Sequence, residues 1–136
     1  MSHEGKIMGD SAEKLFFDDS VWKFDGANRT AYHSKNSNQK IAIARSFPFR
    51  SDFKRMSNIV RISGHESYFN GTYVVSKGAP EVLSKHFREI PQDYNINSQG
   101  YMKDGYRVMA LAYRKLTKVE LEKGENKLTR EEVEKD

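Results

Sequence analysis

Residues 73–83, with the sequence YVVSKGAPEVL, decide the fold of this chain, because a β-rich run passes through a Gly-Ala turn into a helix that begins at a proline. Proline suits the first helical turn, where its missing N–H would have no partner in any case. The pattern places Lys77 at a strand end, beside Gly78, whose lack of a side chain lets a ligand approach the backbone. Residues 47–57, FPFRSDFKRMS, combine aromatic and basic residues in the same way. Together the two segments predict a pocket for an anionic, planar ligand such as a nucleotide.

The composition indicates one polar globular domain. At 136 residues the chain is long enough for one core, which buries roughly two-thirds of the unfolded surface. Cysteine is absent, which excludes disulfides and cysteine-based metal sites. The net charge of +4 is mild and the charges interleave, so a nucleic-acid partner is not expected. No apolar run approaches the ~20 residues of a membrane span, so direct membrane contact is not expected either.

Local patterns predict an α+β fold in which helices flank an antiparallel sheet. Asp10 or Ser11 is expected to cap a helix over residues 9–17, since both residue types accept hydrogen bonds from the first helical N–H groups. The other predicted helices are residues 80–87 and 94–103, and the predicted strands are residues 21–24, 40–47, 56–62, 72–76 and 107–114. The last strand is the most apolar, which favours a central position in the sheet.

The remaining segments are less regular. Residues 25–39 are rich in Asn, Ser, Lys and Gly, and are expected to form a flexible loop. The turn before the strand that carries Lys77 lies either tightly at Asn70-Gly71 or across residues 63–71. Residues from 117 onward alternate charges without an apolar stripe, which predicts a solvated helix or a frayed linker.

Catalytic and metal-binding motifs are missing from the sequence. The phosphate-binding loop G-x-x-x-x-G-K-[ST] and the dinucleotide motif G-x-G-x-x-G do not occur. The four histidines lack metal-ligand spacing, and no Ser/His/Asp set stands out from chance. The sequence therefore predicts nucleotide binding without cleavage, with no catalytic and no metal-binding residues.

Four segments, in this order and at these spacings, resemble the nucleotide-binding domain of P-type ATPases. They are GDSAE at residues 9–13, the aromatic and basic residues 47–57, KGAPE at 77–81 and GYRVMALAY at 105–113. The Phe-Pro-Phe and Lys-Arg-Met-Ser parts of the second segment are most similar to the fifth subfamily, and residues 90–94, IPQDY, resemble its endoplasmic-reticulum branch. The resemblance implies that the parent protein extracts misinserted transmembrane helices. Polyamine export by the endolysosomal branch is the alternative.

The resemblance also implies roles for individual residues around adenine. Phe49 would stack on the base, although the sequence alone favours a core aromatic. Glu13 would accept a hydrogen bond from the adenine amino group, or would be an ordinary first-turn helix glutamate. Lys77 would line the floor of the pocket and Gly78 would leave room for the base; the alternative is a strand-end lysine before an ordinary turn.

Two further basic residues would face the rest of the nucleotide. Lys54 would lie near the phosphates or the ribose, and would otherwise be a solvated lysine. Arg107 would reach the β-phosphate side, and would otherwise be a strand-end arginine paired with an acid such as Asp104. The resemblance implies that the parent pump needs Mg²⁺ and that this domain does not bind it.

The resemblance implies that the chain is one domain of a larger ATP-hydrolysing translocase. Residues 1–8 would be a linker or appended residues, 9–116 the nucleotide-binding domain and 117–136 a charged exit segment. The phosphorylation motif Asp-Lys-Thr-Gly-Thr and the actuator motif Thr-Gly-Glu are absent, so those domains of the same parent chain would be the partners. As a cytosolic domain at the endoplasmic reticulum, it would bind ATP without turnover. The rival hypothesis is a non-catalytic protein-interaction domain that uses the charged tail.

Overall fold

The computed structural model describes residues 10–64 and 69–135, together with the backbone of two short antiparallel strands near the N-terminus, β1 (Ser2–His3) and β2 (Lys6–Ile7). Its main feature is a six-stranded sheet in which strands that follow one another in the chain are neighbours. The strands are β3 (Trp22–Asp25), β4 (Thr30–His33), β5 (Asn36–Arg50), β6 (Arg55–Ser63), β7 (Gly71–Gly78) and β8 (Ala110–Lys115). The helices are α1 (Ser11–Asp18), α2 (Pro80–Leu83), α3 (Tyr94–Lys103), α4 (Lys118–Lys123) and α5 (Arg130–Val133). The predicted α+β fold, an antiparallel sheet with helices, is confirmed.

Two helix predictions are confirmed in detail. The Oδ1 atom of Asp10 caps α1, because it accepts hydrogen bonds from the backbone N–H of Ala12 at 2.9 Å and of Glu13 at 3.4 Å. Helix α3 has the predicted bounds. The helix that begins at Pro80 is shorter than predicted, since it ends after one turn and continues as a 3₁₀ turn, Ser84–His86.

The connection between β6 and β7 is the wider of the two predicted alternatives. Strand β6 ends at Ser63 and β7 begins at Gly71, so Asn70-Gly71 does not form a tight two-residue hairpin turn by itself. Residues 65–68 of this connection lie outside the described ranges.

The chain divides into two compact units, Met1–Ala44 with Val60–Tyr73 and Arg45–Ile59 with Val74–Asp136. In the first unit, the prediction that residues 25–39 form a loop was wrong. Strand β4 and the beginning of β5 occupy this segment, and β4 pairs with β3 along its whole length.

The turn between β3 and β4 shows why the composition was misleading. The Oδ1 atom of Asp25 accepts hydrogen bonds from the backbone N–H of Ala27 at 3.0 Å and of Asn28 at 3.3 Å. Asp and Asn favour turns because their side chains hydrogen-bond to nearby backbone groups, and Gly favours them because it adopts positive φ. Between β3 and β4 these residue types lie in the turn that connects the two hairpin strands, and residues 25–39 do not form one long irregular loop.

The C-terminal segment of the second unit is packed, so the prediction of a solvated helix or frayed linker was wrong. The buried apolar residues of this unit are Phe47, Ile59, Val74, Leu83, Ala110, Leu116, Leu128 and Val133. Leu128 and Val133 are each only 1% exposed. The side chain of Arg45 also donates hydrogen bonds to the carbonyl oxygens of Glu125 at 3.0 Å and of Leu128 at 2.5 Å. Helices α4 and α5 are short, and Leu128 lies between them, so the two buried apolar residues do not make a recognisable helical stripe.

Strand β8 is the last strand of the sheet and not a central one. It begins at Ala110, three residues later than predicted. Leu111 and Tyr113 are each 78% exposed, whereas Ala110 is buried. The apolar run suggested burial on both faces, but its bulky residues at alternate positions face outward.

Candidate functional site

The hairpin between β5 and β6 carries two of the predicted site residues, Phe49 and Lys54. Phe49 is 60% exposed, while Phe47, two positions earlier in the same strand, is 8% exposed. The core role that the sequence alone favoured for Phe49 is therefore wrong, and Phe47 is the core aromatic. An exposed phenyl ring has a free face on which a planar ligand can stack.

Lys54 ends the hairpin turn in an uncommon backbone conformation. Its φ is 48°, in the left-handed region that costs energy for a residue with a side chain. The turn is closed by hydrogen bonds from the backbone N–H of Phe53 at 3.2 Å and of Lys54 at 2.8 Å to the carbonyl oxygen of Arg50. The lysine side chain is exposed.

The end of β7 lies directly against this turn. The backbone N–H of Ala79 donates a hydrogen bond to the carbonyl oxygen of Lys54 at 3.1 Å. A Cβ atom on Gly78 would lie 2.6 Å from that same oxygen and 2.7 Å from Cβ of Arg55. Glycine is therefore required here by the packing of the chain, and the space left by its missing side chain is taken up by Lys54 and Arg55. The contact brings Lys77, the neighbour of Gly78, next to the turn that carries Lys54.

The other two predicted residues are on different elements. Arg107 is exposed and lies in the irregular segment before β8, whereas the sequence placed it at the start of the strand. Glu13 is half-buried in the first turn of α1, which belongs to the first compact unit. The structure thus brings together Phe49, Lys54, Lys77 and Gly78 through one hairpin and its neighbouring strand end.

An arginine cluster around Phe53 was not found from the sequence. The guanidinium carbons of Arg50, Arg55 and Arg130 lie 4.6, 5.3 and 4.7 Å from the centre of the Phe53 ring. Such contacts stabilise a cation over an aromatic face. Arg50 is also paired with Asp52, at 2.6 Å between Nη2 and Oδ2, and this hydrogen bond lowers the pKa of Asp52. The local spacing of Arg50, Phe53 and Arg55 could have suggested part of the cluster, but nothing local points to Arg130.

A buried carboxylate lies behind the hairpin. Glu134 has a side chain only 4% exposed, and it accepts hydrogen bonds from Nε of Arg55 at 2.7 Å and from the Ser57 hydroxyl at 2.7 Å. The Ser57 oxygen lies 2.7 Å from the Ser76 oxygen on β7. A buried charge is stable only when it is paired and hydrogen-bonded, and Glu134 meets both conditions.

Two cavities lie in the second unit. One, of about 620 Å³, has Val74, Leu83, Phe87 and Tyr94 among its lining residues. The other, of about 470 Å³, is lined by Tyr94, Tyr101, Met109 and their neighbours. None of the six predicted site residues lines either cavity. The candidate site is therefore a surface formed by a hairpin and a strand end, and it coincides with neither of these two cavities.

Two other kinds of feature are absent from residues 10–64 and 69–135. No group of three His, Asp or Glu residues there is arranged to hold a metal ion. No helix in the same part of the chain is long and apolar enough to cross a membrane.

Comparison with known proteins gives the family. Residues 20–136 match the family model described as "P-type ATPase, cytoplasmic domain N". The chain is 34% identical over 135 residues to the endoplasmic reticulum transmembrane helix translocase of Schizosaccharomyces pombe, covering 96% of this chain and 11% of that protein. It is 34% identical over 113 residues to the probable manganese-transporting ATPase PDR2 of Arabidopsis thaliana, covering 83% of this chain and 9% of that protein. It is 39% identical over 79 residues to the polyamine-transporting ATPase 13A3 of Macaca fascicularis, covering 57% of this chain and 6% of that protein.

These relatives are far longer than the chain, which spans about a tenth of the length of the first two. The match nevertheless covers all the described elements from β3 to α5. The chain therefore belongs to the family of cytoplasmic N domains of P-type ATPases, in the fifth subfamily of those pumps.

Proposed function

We propose that this domain binds the adenosine end of ATP and presents the γ-phosphate to the phosphorylation domain of the same parent chain. The observation that supports this best is the exposed Phe49 ring on a hairpin whose turn is packed against the Lys77–Gly78 strand end. Stacking of a nucleobase on an exposed aromatic needs only a free ring face. Lys54, in the turn of the same hairpin, supplies positive charge for the phosphates.

Five of the six predicted residues contact the nucleotide in this proposal, while Gly78 allows the end of β7 to pack against the Lys54 turn. Phe49 stacks on adenine, and the Glu13 carboxylate accepts a hydrogen bond from the adenine amino group. Lys77 lines the base-binding surface, beside the turn. Lys54 and Arg107 face the ribose and the phosphates. None of these groups activates a nucleophile, so the isolated domain binds ATP without turnover, and the parent pump carries out hydrolysis with Mg²⁺.

The expected affinity is low. One stacked base contributes about 1–3 kcal/mol, and each hydrogen bond adds about 1 kcal/mol. Association costs several kcal/mol. With contributions of this size we expect a dissociation constant of about 0.1 to a few mM, which corresponds to a binding free energy of about −3.5 to −5.5 kcal/mol. Such weak binding suits a domain that must hand over its nucleotide, and Mg²⁺ should change it little because the phosphates mostly face solvent.

An amide NMR titration with ATP, with and without Mg²⁺, tests the proposal. We expect saturable shifts near Glu13, Phe49, Lys77 and Arg107 at millimolar ATP, with little dependence on Mg²⁺. The matched control is Tyr113→Ala, which removes another exposed aromatic, one that lines the 620 Å³ cavity. It should leave the shifts unchanged. The absence of shifts at several millimolar ATP would favour the rival hypothesis of a protein-interaction domain.

For the whole parent protein we propose extraction of misinserted transmembrane helices at the endoplasmic reticulum. The support is the 34% identity, across nearly the whole chain, to a relative named as an endoplasmic reticulum transmembrane helix translocase. Polyamine transport is the second candidate, because the stretch similar to the 13A3 transporter is 39% identical although shorter. Stimulation of ATPase activity of the full-length parent by a transmembrane-helix peptide, and not by spermine, would support the first. The reverse would support the second.

A further inference from the structure

The tip of the β5–β6 hairpin carries Phe49 and Lys54. One side chain from α5, that of Arg130, contacts the chain on both sides of this tip. Nη1 of Arg130 donates a hydrogen bond to the carbonyl oxygen of Pro48 at 3.1 Å, and Nη2 donates to that of Arg55 at 2.9 Å. Pro48 directly precedes Phe49, and Arg55 directly follows Lys54. A single guanidinium therefore fixes the two ends of the six-residue tip, at a sequence distance of more than seventy residues.

Arg130 is itself fixed on its remaining sides. Its Nε lies 2.9 Å from Oε1 of Glu134, one helical turn away, and its guanidinium lies 4.7 Å from the centre of the Phe53 ring. The side chain is 16% exposed. Because Nε, Nη1 and Nη2 all donate to the chain, the geometry gives Arg130 a structural contact with the hairpin and not a free face for a ligand.

Glu134 links Arg130 to β6, the strand that follows the hairpin tip. Its carboxylate pairs with Arg130 through Oε1 and with Arg55 through Oε2, and it also accepts the Ser57 hydroxyl. Arg55 and Ser57 both belong to β6, the strand that leaves the hairpin. Movement of the start of β6 away from α5 would therefore break charge-assisted hydrogen bonds to Glu134 as well as the carbonyl contacts of Arg130.

We propose that Arg130, held by Glu134, is a positioning residue for nucleotide binding. It sets the direction in which the Phe49 ring and the Lys54 side chain leave the hairpin. The inference rests on the proposed function, because it assigns a role in ATP binding to a helix that does not touch ATP. It also makes α5, which the sequence placed in an exit segment, part of the binding domain.

The test compares Arg130→Met with Lys127→Met in the full chain. Methionine removes both carbonyl contacts and the ion pair with Glu134, and places an apolar side chain against Phe53 in place of the guanidinium. Lys127→Met removes the same charge from an exposed position in the 3₁₀ turn just before α5. We expect Arg130→Met to weaken ATP binding about five- to thirtyfold, the factor expected for loss of one or two hydrogen-bonded contacts. Amide hydrogen exchange of residues 49–54 should also become faster without ATP, while Lys127→Met changes neither quantity.

Arg130→Lys provides the second variant in case Arg130→Met does not fold. Lysine keeps the charge and the ion pair with Glu134 but lacks the planar fork that reaches two carbonyls. It should still weaken ATP binding and accelerate hairpin exchange. Native-like ATP affinity and native-like hairpin exchange in a folded Arg130 variant would overturn the inference. If the native chain itself does not bind ATP, the proposed function fails, and hairpin exchange in the ligand-free variants still decides whether Arg130 positions the tip.

Discussion

Arg114 on β8 and Glu120 on α4 form a bidentate ion pair, with 3.0 Å between Nη1 and Oε2 and 2.8 Å between Nη2 and Oε1. Nη2 also donates to the carbonyl oxygens of Glu132 at 2.9 Å and of Val133 at 3.1 Å. One guanidinium thus joins the last strand to α4 and to α5. The C-terminal segment is therefore stabilised by this ion pair as well as by the buried side chains of Leu128 and Val133.

This pair makes stability depend on pH. The hydrogen bond from Arg114, helped by Thr117 and opposed by burial, lowers the pKa of Glu120 from 4.5 to about 2. Because the pKa is lower in the folded state, the stabilisation is fully present above pH 4.5 and is lost as the pH falls toward 2. We expect Glu120→Gln to lower the free energy of unfolding at pH 6 and to have a smaller effect at pH 3, as measured by urea titration. Glu122→Gln, at an exposed position of the same helix, is the control. A Glu120→Gln effect that is equal at both pH values would contradict the assignment.

Phe47 and Phe49 provide a matched pair for separating stability from binding. Phe47→Ala should cost about 3–5 kcal/mol of unfolding free energy, because it truncates a buried aromatic. Phe49→Ala should change stability by less than about 1 kcal/mol, since the ring is exposed, and should abolish ATP binding. Chemical denaturation and the ATP titration measure the two effects. If Phe49→Ala unfolded the domain, the rival hypothesis of a ring used only for packing would be supported.

Gly78 and Gly100 should respond in opposite directions to replacement by alanine. At Gly78 the new Cβ would lie 2.6 Å from a backbone oxygen, so we expect a loss of about 1–3 kcal/mol and a shift of the Lys54 turn. At Gly100, inside α3, a Cβ meets nothing within 4 Å. Gly100→Ala should therefore stabilise the domain by about 0.5–1 kcal/mol through helix propensity. Thermal unfolding of the two variants checks the signs, and a neutral Gly78→Ala would show that the turn can move away cheaply.

Lys54→Gly should separate the effect of backbone strain on stability from the effect of the lysine charge on ATP binding. Glycine adopts φ near 48° without penalty, so stability should stay the same or rise by up to about 1 kcal/mol. ATP binding should weaken, because the positive charge is lost. Arg29→Gly is the control, since Arg29 has φ of 50° in the turn before β4. It should show the same backbone effect with no change in ATP affinity. If Lys54→Gly left ATP affinity unchanged, Lys54 would have no part in the site.

Local signals predicted local features well. The cap at Asp10 and the bounds of α3 depend on neighbouring residues, and both were predictable for that reason. The turn residues of 25–39 predict a loop when composition alone is considered, because composition does not say how far apart the turns lie. The position of β8 at the sheet end also escaped prediction, since strand order depends on contacts between distant segments.

The same distinction applies to the candidate site. The hairpin and the Lys77–Gly78 strand end each have a short signature, and the structure brings them into contact. The Arg130–Glu134 pair has no such signature, because its contacts with Pro48 and Arg55 join residues far apart in the chain. A charged helix end of this kind is indistinguishable by composition from a solvated one.

The exposed side chains of β8 have a practical consequence for work with the isolated domain. An end strand offers backbone N–H and C=O groups on which another chain can pair, and exposed apolar side chains favour such pairing. Leu111 and Tyr113 supply that apolar surface here. Concentrated samples of the isolated domain are therefore expected to self-associate by strand addition. A charged replacement such as Leu111→Lys is the simplest way to keep them soluble for titration.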